Sequence, residues 1–79
     1  MLIPRAVEMI KEIYKKGKIT RKTCDTAFGG MYYFLTYYLR KKGLIEVDSV
    51  DGNTKYWRLT KKGKRVAELI MEIEKAVKE

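Results

Sequence analysis

Residues 29–43 read GGMYYFLTYYLRKKG, and the interpretation of the whole chain depends on them. The segment opens with two glycines, carries four tyrosines and ends in three positive charges before a further glycine. At about 100° per residue, its apolar side chains predict a helix over residues 31–42 with one buried face. That predicted buried face consists of Met31, Phe34, Leu35, Tyr38 and Leu39. The predicted outward face consists of Tyr33, Thr36, Tyr37 and Arg40, with Tyr32 on its flank.

Two further helices are predicted before this segment. Residues 4–16 have the apolar spacing of an amphipathic helix, with Pro4 in its first turn and Gly17 at its end. Thr20 is the predicted N-cap of a second helix over residues 21–28. The glycine pair at the start of the quoted segment then interrupts the chain.

A β-hairpin is predicted after the aromatic helix. Residues 44–48 and 55–59 have strand composition, and the residues between them have turn composition. By alternation, we expect Trp57 and Leu59 to face the core and Tyr56 and Arg58 to face solvent. The opposite register stays open near the turn.

The last predicted helix begins after Thr60 and runs to about residue 78, a span of about 27 Å. This length exceeds what the small core needs. We therefore expect its C-terminal half to pack on the same helix of a second subunit, most simply about a two-fold axis. The predicted dimerisation residues are Leu69, Ile70, Ile73, Ala76 and Val77.

Composition limits the classes of function. With 79 residues, the chain is expected to form a single α+β, mostly helical domain over residues 1–79. It has no histidine and one cysteine, Cys24, so we expect no internal disulfide, no metal site and no cofactor. No catalytic triad, acid–base pair or phosphate loop is evident, and we expect no enzymatic activity. Without a signal peptide or an apolar run of membrane-spanning length, it is expected to be soluble and cytoplasmic.

The charge of the chain indicates a polyanionic partner. The net charge is +8 and the pI is about 9.7. Residues 20–43 carry +4, whereas residues 44–59 carry −1. Because the positive charge is greatest over the second and third helices, a helix pair joined by a glycine turn, we expect these helices to bind nucleic acid. The abundance of lysine and glutamate and the absence of glutamine are typical of a thermophilic source.

Two short stretches carry a resemblance to a known fold family. Residues 39–46 read LRKKGLIE, and residues 56–63 read YWRLTKKG. In this order of elements, the chain resembles winged helix-turn-helix domains. It is most similar to small archaeal DNA-binding proteins of that family whose C-terminal helices pair into a coiled coil. The resemblance covers nearly the whole chain.

The resemblance implies a homodimer that binds double-stranded DNA as a small transcriptional regulator. The third helix would enter the major groove, with Tyr33, Thr36, Tyr37 and Arg40 facing it and Tyr32 beside them. Arg21 and Lys22 would contact phosphates, and the wing would contribute Lys55 and Arg58. Because the hairpin segment is net negative, we expect the wing to contribute little beyond these two residues.

Two other functions stay open. The same positive charge would serve a chromatin-like architectural protein that binds DNA without sequence preference. Alternatively, the tyrosine face could hold a protein partner. Salt dependence distinguishes the two kinds of partner, because DNA binding weakens steeply with salt.

Overall fold

The computed structural model describes residues 2–78, which form an α+β, mostly helical fold with four helices and one two-stranded sheet. The elements are α1 (Pro4–Lys16), α2 (Arg21–Phe28), α3 (Tyr32–Lys41), β1 (Ile45–Asp51), β2 (Thr54–Leu59) and α4 (Lys61–Lys78). The predicted order is confirmed. The helix bounds agree closely with prediction, and β1 continues further toward the turn than residue 48.

Local signals account for the helix ends. Pro4 occupies the first turn of α1, where its missing N–H removes no helical hydrogen bond. Gly17 ends α1 with a φ of 90°, and its N–H donates to the carbonyl of Ile13 at 2.7 Å. Thr20 caps α2, because its hydroxyl oxygen accepts from the N–H of Thr23 at 3.4 Å.

The hairpin register places the indole of Trp57 in the core. β1 and β2 pair antiparallel, with Val47 opposite Trp57 and a bulge after Val47. Trp57 and Leu59 are buried and Arg58 is exposed, as predicted; Tyr56 is half-buried. Ile19, in the linker between α1 and α2, exchanges two backbone hydrogen bonds with Trp57, at 3.0 and 2.8 Å. The linker is thereby fastened to β2.

The core is built mainly from α1, α3 and the hairpin. Its largest fully buried side chains are Met9, Ile10, Ile13, Cys24, Leu35, Leu39 and Ile45. Cys24 is buried, and this burial, with a smaller contribution from Asp25, raises the pKa of its thiol to about 11. The thiol is therefore protonated at neutral pH and poorly suited to redox chemistry.

The buried face of α3 differs from the predicted one. It consists of Tyr32, Leu35, Thr36 and Leu39, at spacing i, i+3, i+4 and i+7. Relative to the predicted face, it is rotated by about 80° around the helix axis. The prediction that Tyr32 and Thr36 face outward is wrong. Phe34, predicted to be buried, is exposed, and Tyr38 is half-buried with its hydroxyl accepting from the N–H of Ile3.

Hydrogen bonds explain why α3 buries polar side chains. The Tyr32 hydroxyl accepts a hydrogen bond from Trp57 Nε1 at 2.9 Å. Thr36 donates its hydroxyl hydrogen to the carbonyl of Tyr32 at 2.8 Å. Both polar groups are thus satisfied inside the core, so their burial carries little penalty. A pattern based on hydrophobicity alone prefers Phe34 and misses this arrangement.

Thr60 joins the end of α3 to the start of α4. Its hydroxyl donates to the carbonyl of Gly43 at 2.6 Å and accepts from the N–H of Gly63 at 3.0 Å. Its own N–H donates to the carbonyl of Leu44 at 3.0 Å. Gly63 is buried against that same carbonyl. Thr60 thus caps α4 and fixes it relative to α3 and the hairpin.

The part of α4 that contributes to the core extends from its start to Ile70. Gly63 and Ala67 are buried, whereas Ile73 and Val77 are 64% and 81% exposed. The principal dimensions of the molecule are 44 × 25 × 21 Å, so it is elongated. An ion pair of 2.8 Å between Lys11 and Glu74 holds the later turns of α4 beside α1.

Candidate nucleic-acid interface

The exposed side of α3 combines aromatic rings with positive charge. Tyr33, Phe34 and Tyr37 are 67%, 51% and 55% exposed. Arg40 and Lys41 are exposed in the last turn of the same helix. At about 100° per residue, Phe34, Tyr37 and Lys41 lie directly opposite the core, and Tyr33 and Arg40 lie on one flank. We call these five residues the α3 outer face.

The start of α2 lies beside this face. The Arg21 guanidinium donates to the Tyr33 hydroxyl at 2.9 Å and lies 4.9 Å from the centre of the Tyr33 ring. It also pairs with Asp25 at 3.5 Å, one turn further along α2. Because Arg21 contacts both helices, it connects the positive start of α2 to the α3 outer face. Lys22 is exposed next to it.

A shallow cleft separates these helix starts from the hairpin turn. It is lined by residues of all three elements, among them Arg21, Lys22, Tyr33, Asn53 and Lys55. Lys55 is exposed, with its ammonium 5.6 Å from the centre of the Trp57 ring. The fold therefore brings the predicted phosphate-binding residues of α2 and Lys55 of the hairpin to one side of the molecule.

Arg58 differs from the other predicted site residues. Its guanidinium pairs with Glu46 at 3.0 Å and with Asp48 at 3.2 Å, on the exposed side of the hairpin. The hydrogen bonds to Glu46 and Asp48 raise the pKa of Arg58 further. A hydrogen bond from the Ser49 hydroxyl, with contributions from Arg58 and Lys18, lowers the pKa of Asp48. The charge of Arg58 is thus compensated within the hairpin.

Three other predicted cations are uncompensated. Among the ion pairs formed within residues 2–78, none involves Lys22, Arg40 or Lys55. Their charges are available to an external anion. Of the predicted DNA-binding residues, Arg21, Lys22, Tyr33, Tyr37, Arg40 and Lys55 lie on one accessible side, whereas Tyr32 and Thr36 are buried.

Sequence reasoning missed Phe34 and Lys41 as members of the outer face. The signal that could have found them is the stripe of Tyr32, Leu35 and Leu39, which is as regular as the predicted one. To choose that stripe as the buried one, a hydrogen-bonding partner inside the core has to be found for the Tyr32 hydroxyl. Trp57, at an inward position of β2, was the available donor.

The predicted dimerisation residues divide into two groups. Ile70 packs against the edge of the core. Leu69, Ile73, Ala76 and Val77 are exposed along α4 from its middle to its C-terminal end. Beside them, a groove lined by Lys11, Met71 and Glu74 separates this part of α4 from α1.

Other kinds of site find little support in the described part of the chain. Residues 2–78 contain no group of three or more His, Cys, Asp and Glu side chains arranged to hold a metal ion. None of the described helices combines the length and apolar character required to span a membrane. No protein-family model matches the chain, and no curated protein is significantly similar to it.

Proposed function

We propose that the protein is a homodimeric winged helix-turn-helix protein that binds double-stranded DNA as a small transcriptional regulator. In this proposal α3 is the recognition helix in the major groove, and the β1–β2 hairpin is the wing. The observation that carries it is the accessible side formed by the α3 outer face, the start of α2 and Lys55, where uncompensated cations surround the helix.

In this proposal the exposed residues have different roles in DNA binding, according to whether their charges are compensated. Arg40, exposed and unpaired with any acid of residues 2–78, presents the planar fork that suits the O6 and N7 acceptors of guanine. Lys22 and Lys55, on either side of the cleft, hold phosphates and set the orientation of the helix. Tyr37 packs against base edges such as the thymine methyl group. Arg58 is a structural residue of the wing in this assignment, because Glu46 and Asp48 neutralise it.

Dimerisation follows from the second half of α4. Its exposed apolar side chains lie beyond the core, on a helix about 27 Å long. Antiparallel pairing with the same helix of a second copy would bury them about a two-fold axis. Two recognition helices would then meet two half-sites of a pseudo-palindrome, and occupation of that site controls access of the transcription machinery.

An architectural role without sequence preference is the second candidate. It is favoured by the composition of the α3 outer face, where Arg40 is the one arginine and the Tyr33 hydroxyl is engaged by Arg21. Few groups are therefore left for direct base readout. In this role the same surface would bind phosphates and shape alone.

Selection of bound duplexes from a random pool tests the proposal. A regulator enriches a motif with two related half-sites, whereas an architectural protein enriches no motif. Affinity should fall steeply with salt in either case, because each phosphate contact releases counterions. Binding that does not respond to salt would contradict both DNA-binding functions and favour a protein partner for the tyrosines.

A pair of arginine variants tests the assignment of residues. Arg40→Gln should weaken binding to the selected duplex by about tenfold or more and relax the preference at one base position. Arg58→Gln also removes one positive charge, but this charge is already compensated by acidic residues of the hairpin. The variant should therefore weaken binding by about twofold or less. Both are measured by fluorescence anisotropy at several salt concentrations. Equal losses for the two variants on all sequences would refute the assigned base contact.

A further inference from the structure

The α3 outer face has an aromatic character that docking in a duplex groove uses only in part. Phe34 has no hydrogen-bonding group, yet half of its side chain is exposed, next to the equally accessible ring of Tyr37. The centroid of its ring lies 5.8 Å from that of the Tyr38 ring. In a duplex the bases are stacked on one another, so a protein in the groove meets their edges and not their π-faces.

Cations accompany these rings. Lys41 lies 5.9 Å from the centre of the Tyr37 ring, and Lys42 lies 5.0 Å from that of Tyr38. Arg21 holds the same relation to Tyr33, at 4.9 Å. Each exposed tyrosine of α3 therefore lies close to a positive charge. If a base stacks on the tyrosine ring, that charge can contact the phosphate next to the base. Surfaces that bind single-stranded nucleic acid combine stacking rings and backbone-binding cations in this way.

We infer that the α3 outer face binds single-stranded DNA by stacking unpaired bases on Phe34 and Tyr37 while Arg40 and Lys41 hold the backbone. The charge of the surface identifies the occupant as an anion: residues 20–43 carry +4, and a protein partner covering the rings would also have to bury Lys41 and Lys42. The inference rests on the exposure of the rings and not on duplex recognition. Its assignment to DNA rather than RNA follows from the proposed function.

A pair of single strands with equal charge provides the test. One is an oligothymidylate of about 12 nucleotides, and the other is an abasic strand with the same number of phosphates. If bases stack on the rings, the full-length chain should bind the oligothymidylate about tenfold or more tightly than the abasic strand. Equal affinity would overturn the inference, because it would leave only the attraction between phosphates and cations.

Variants assign the stacking to particular rings. Phe34→Leu and Tyr37→Leu should each reduce the preference for the strand with bases at least several-fold, while leaving abasic binding unchanged. Tyr14→Leu is the matched control, because Tyr14 is also an exposed aromatic residue but lies on α1. A loss of preference in the control equal to that in the α3 variants would overturn the assignment. If an α3 variant fails to fold, the comparison of the two strands with the unaltered chain still decides.

Two further arms separate the possible outcomes. An RNA strand of matching base sequence should bind more weakly than the DNA strand; equal or tighter binding would overturn the assignment to DNA. Duplex selection is a separate measurement, so a failure of stacking leaves the proposed regulator intact. Conversely, a protein that stacks single strands but enriches no duplex contradicts the proposed regulator and retains the stacking surface.

Discussion

Replacing Gly63 with alanine should destabilise the fold by about 3 kcal/mol, although alanine is the better helix former. A Cβ at this position would overlap the carbonyl oxygen of Leu44 and lie 3.0 Å from its carbonyl carbon and 3.2 Å from the Cβ of Leu59. Leu44 cannot move away easily, because its carbonyl also accepts the hydrogen bond of Thr60. The added methyl group therefore has to separate α4 from the hairpin.

Thermal and urea unfolding measure this effect. For a domain of this size, a loss of about 3 kcal/mol corresponds to a fall in Tm of about 12–24 °C. Gly30→Ala is the control, because a Cβ there meets no atom of the described structure within 4 Å and its φ is not positive. A Gly63→Ala variant as stable as this control would show that the packing of α4 on Leu44 is looser than described.

Replacing Ile73 with aspartate should convert the proposed dimer into a monomer and weaken binding to the selected duplex by about a hundredfold. The charge would lie in the apolar surface proposed to pair two α4 helices. The loss of affinity follows because two joined recognition helices bind two half-sites at high effective concentration, whereas separate chains do not. Since Ile73 is outside the core, the monomer should remain folded.

Sedimentation equilibrium and duplex binding provide the measurements. Val50→Asp is the matched control, because Val50 has nearly the same exposure, 61% against 64% for Ile73, but lies on the hairpin. The control should remain dimeric; its duplex binding should weaken for a different reason, because an aspartate at position 50 lies opposite Lys55 in the hairpin. An Ile73→Asp variant that stays dimeric would contradict pairing through α4 and would show that another surface forms the dimer.

The elements of this fold could be predicted because their ends have local causes. Pro4, Gly17, Thr20 and Thr60 act on neighbouring backbone groups, and their effects can be read from a short stretch of sequence. The inward position of Trp57 followed equally from alternation along one strand.

The orientation of α3 could not be predicted by the same means. Two overlapping stripes compete on this helix, and the more apolar one includes Phe34. The fold selects the other stripe because Trp57, 25 positions away in the chain, donates a hydrogen bond to Tyr32. The neutralisation of Arg58 likewise depends on a strand register that places it opposite Glu46. Contacts between distant segments, and not local preference, therefore determined which side chains reach the candidate interface.

The backbone pairing of Ile19 with Trp57 bears on solubility. It occupies the outer edge of β2 at Trp57, whereas within the described chain no strand or bridge pairs with the outer edge of β1. Glu46, Asp48 and Asp51 are distributed along β1, which also bends at the bulge after Val47. Acidic side chains and a bend both oppose the addition of another strand. Chains crowded together on the proposed DNA partner should thus resist growth into amyloid-like aggregates through β1, despite the exposed valines of this strand.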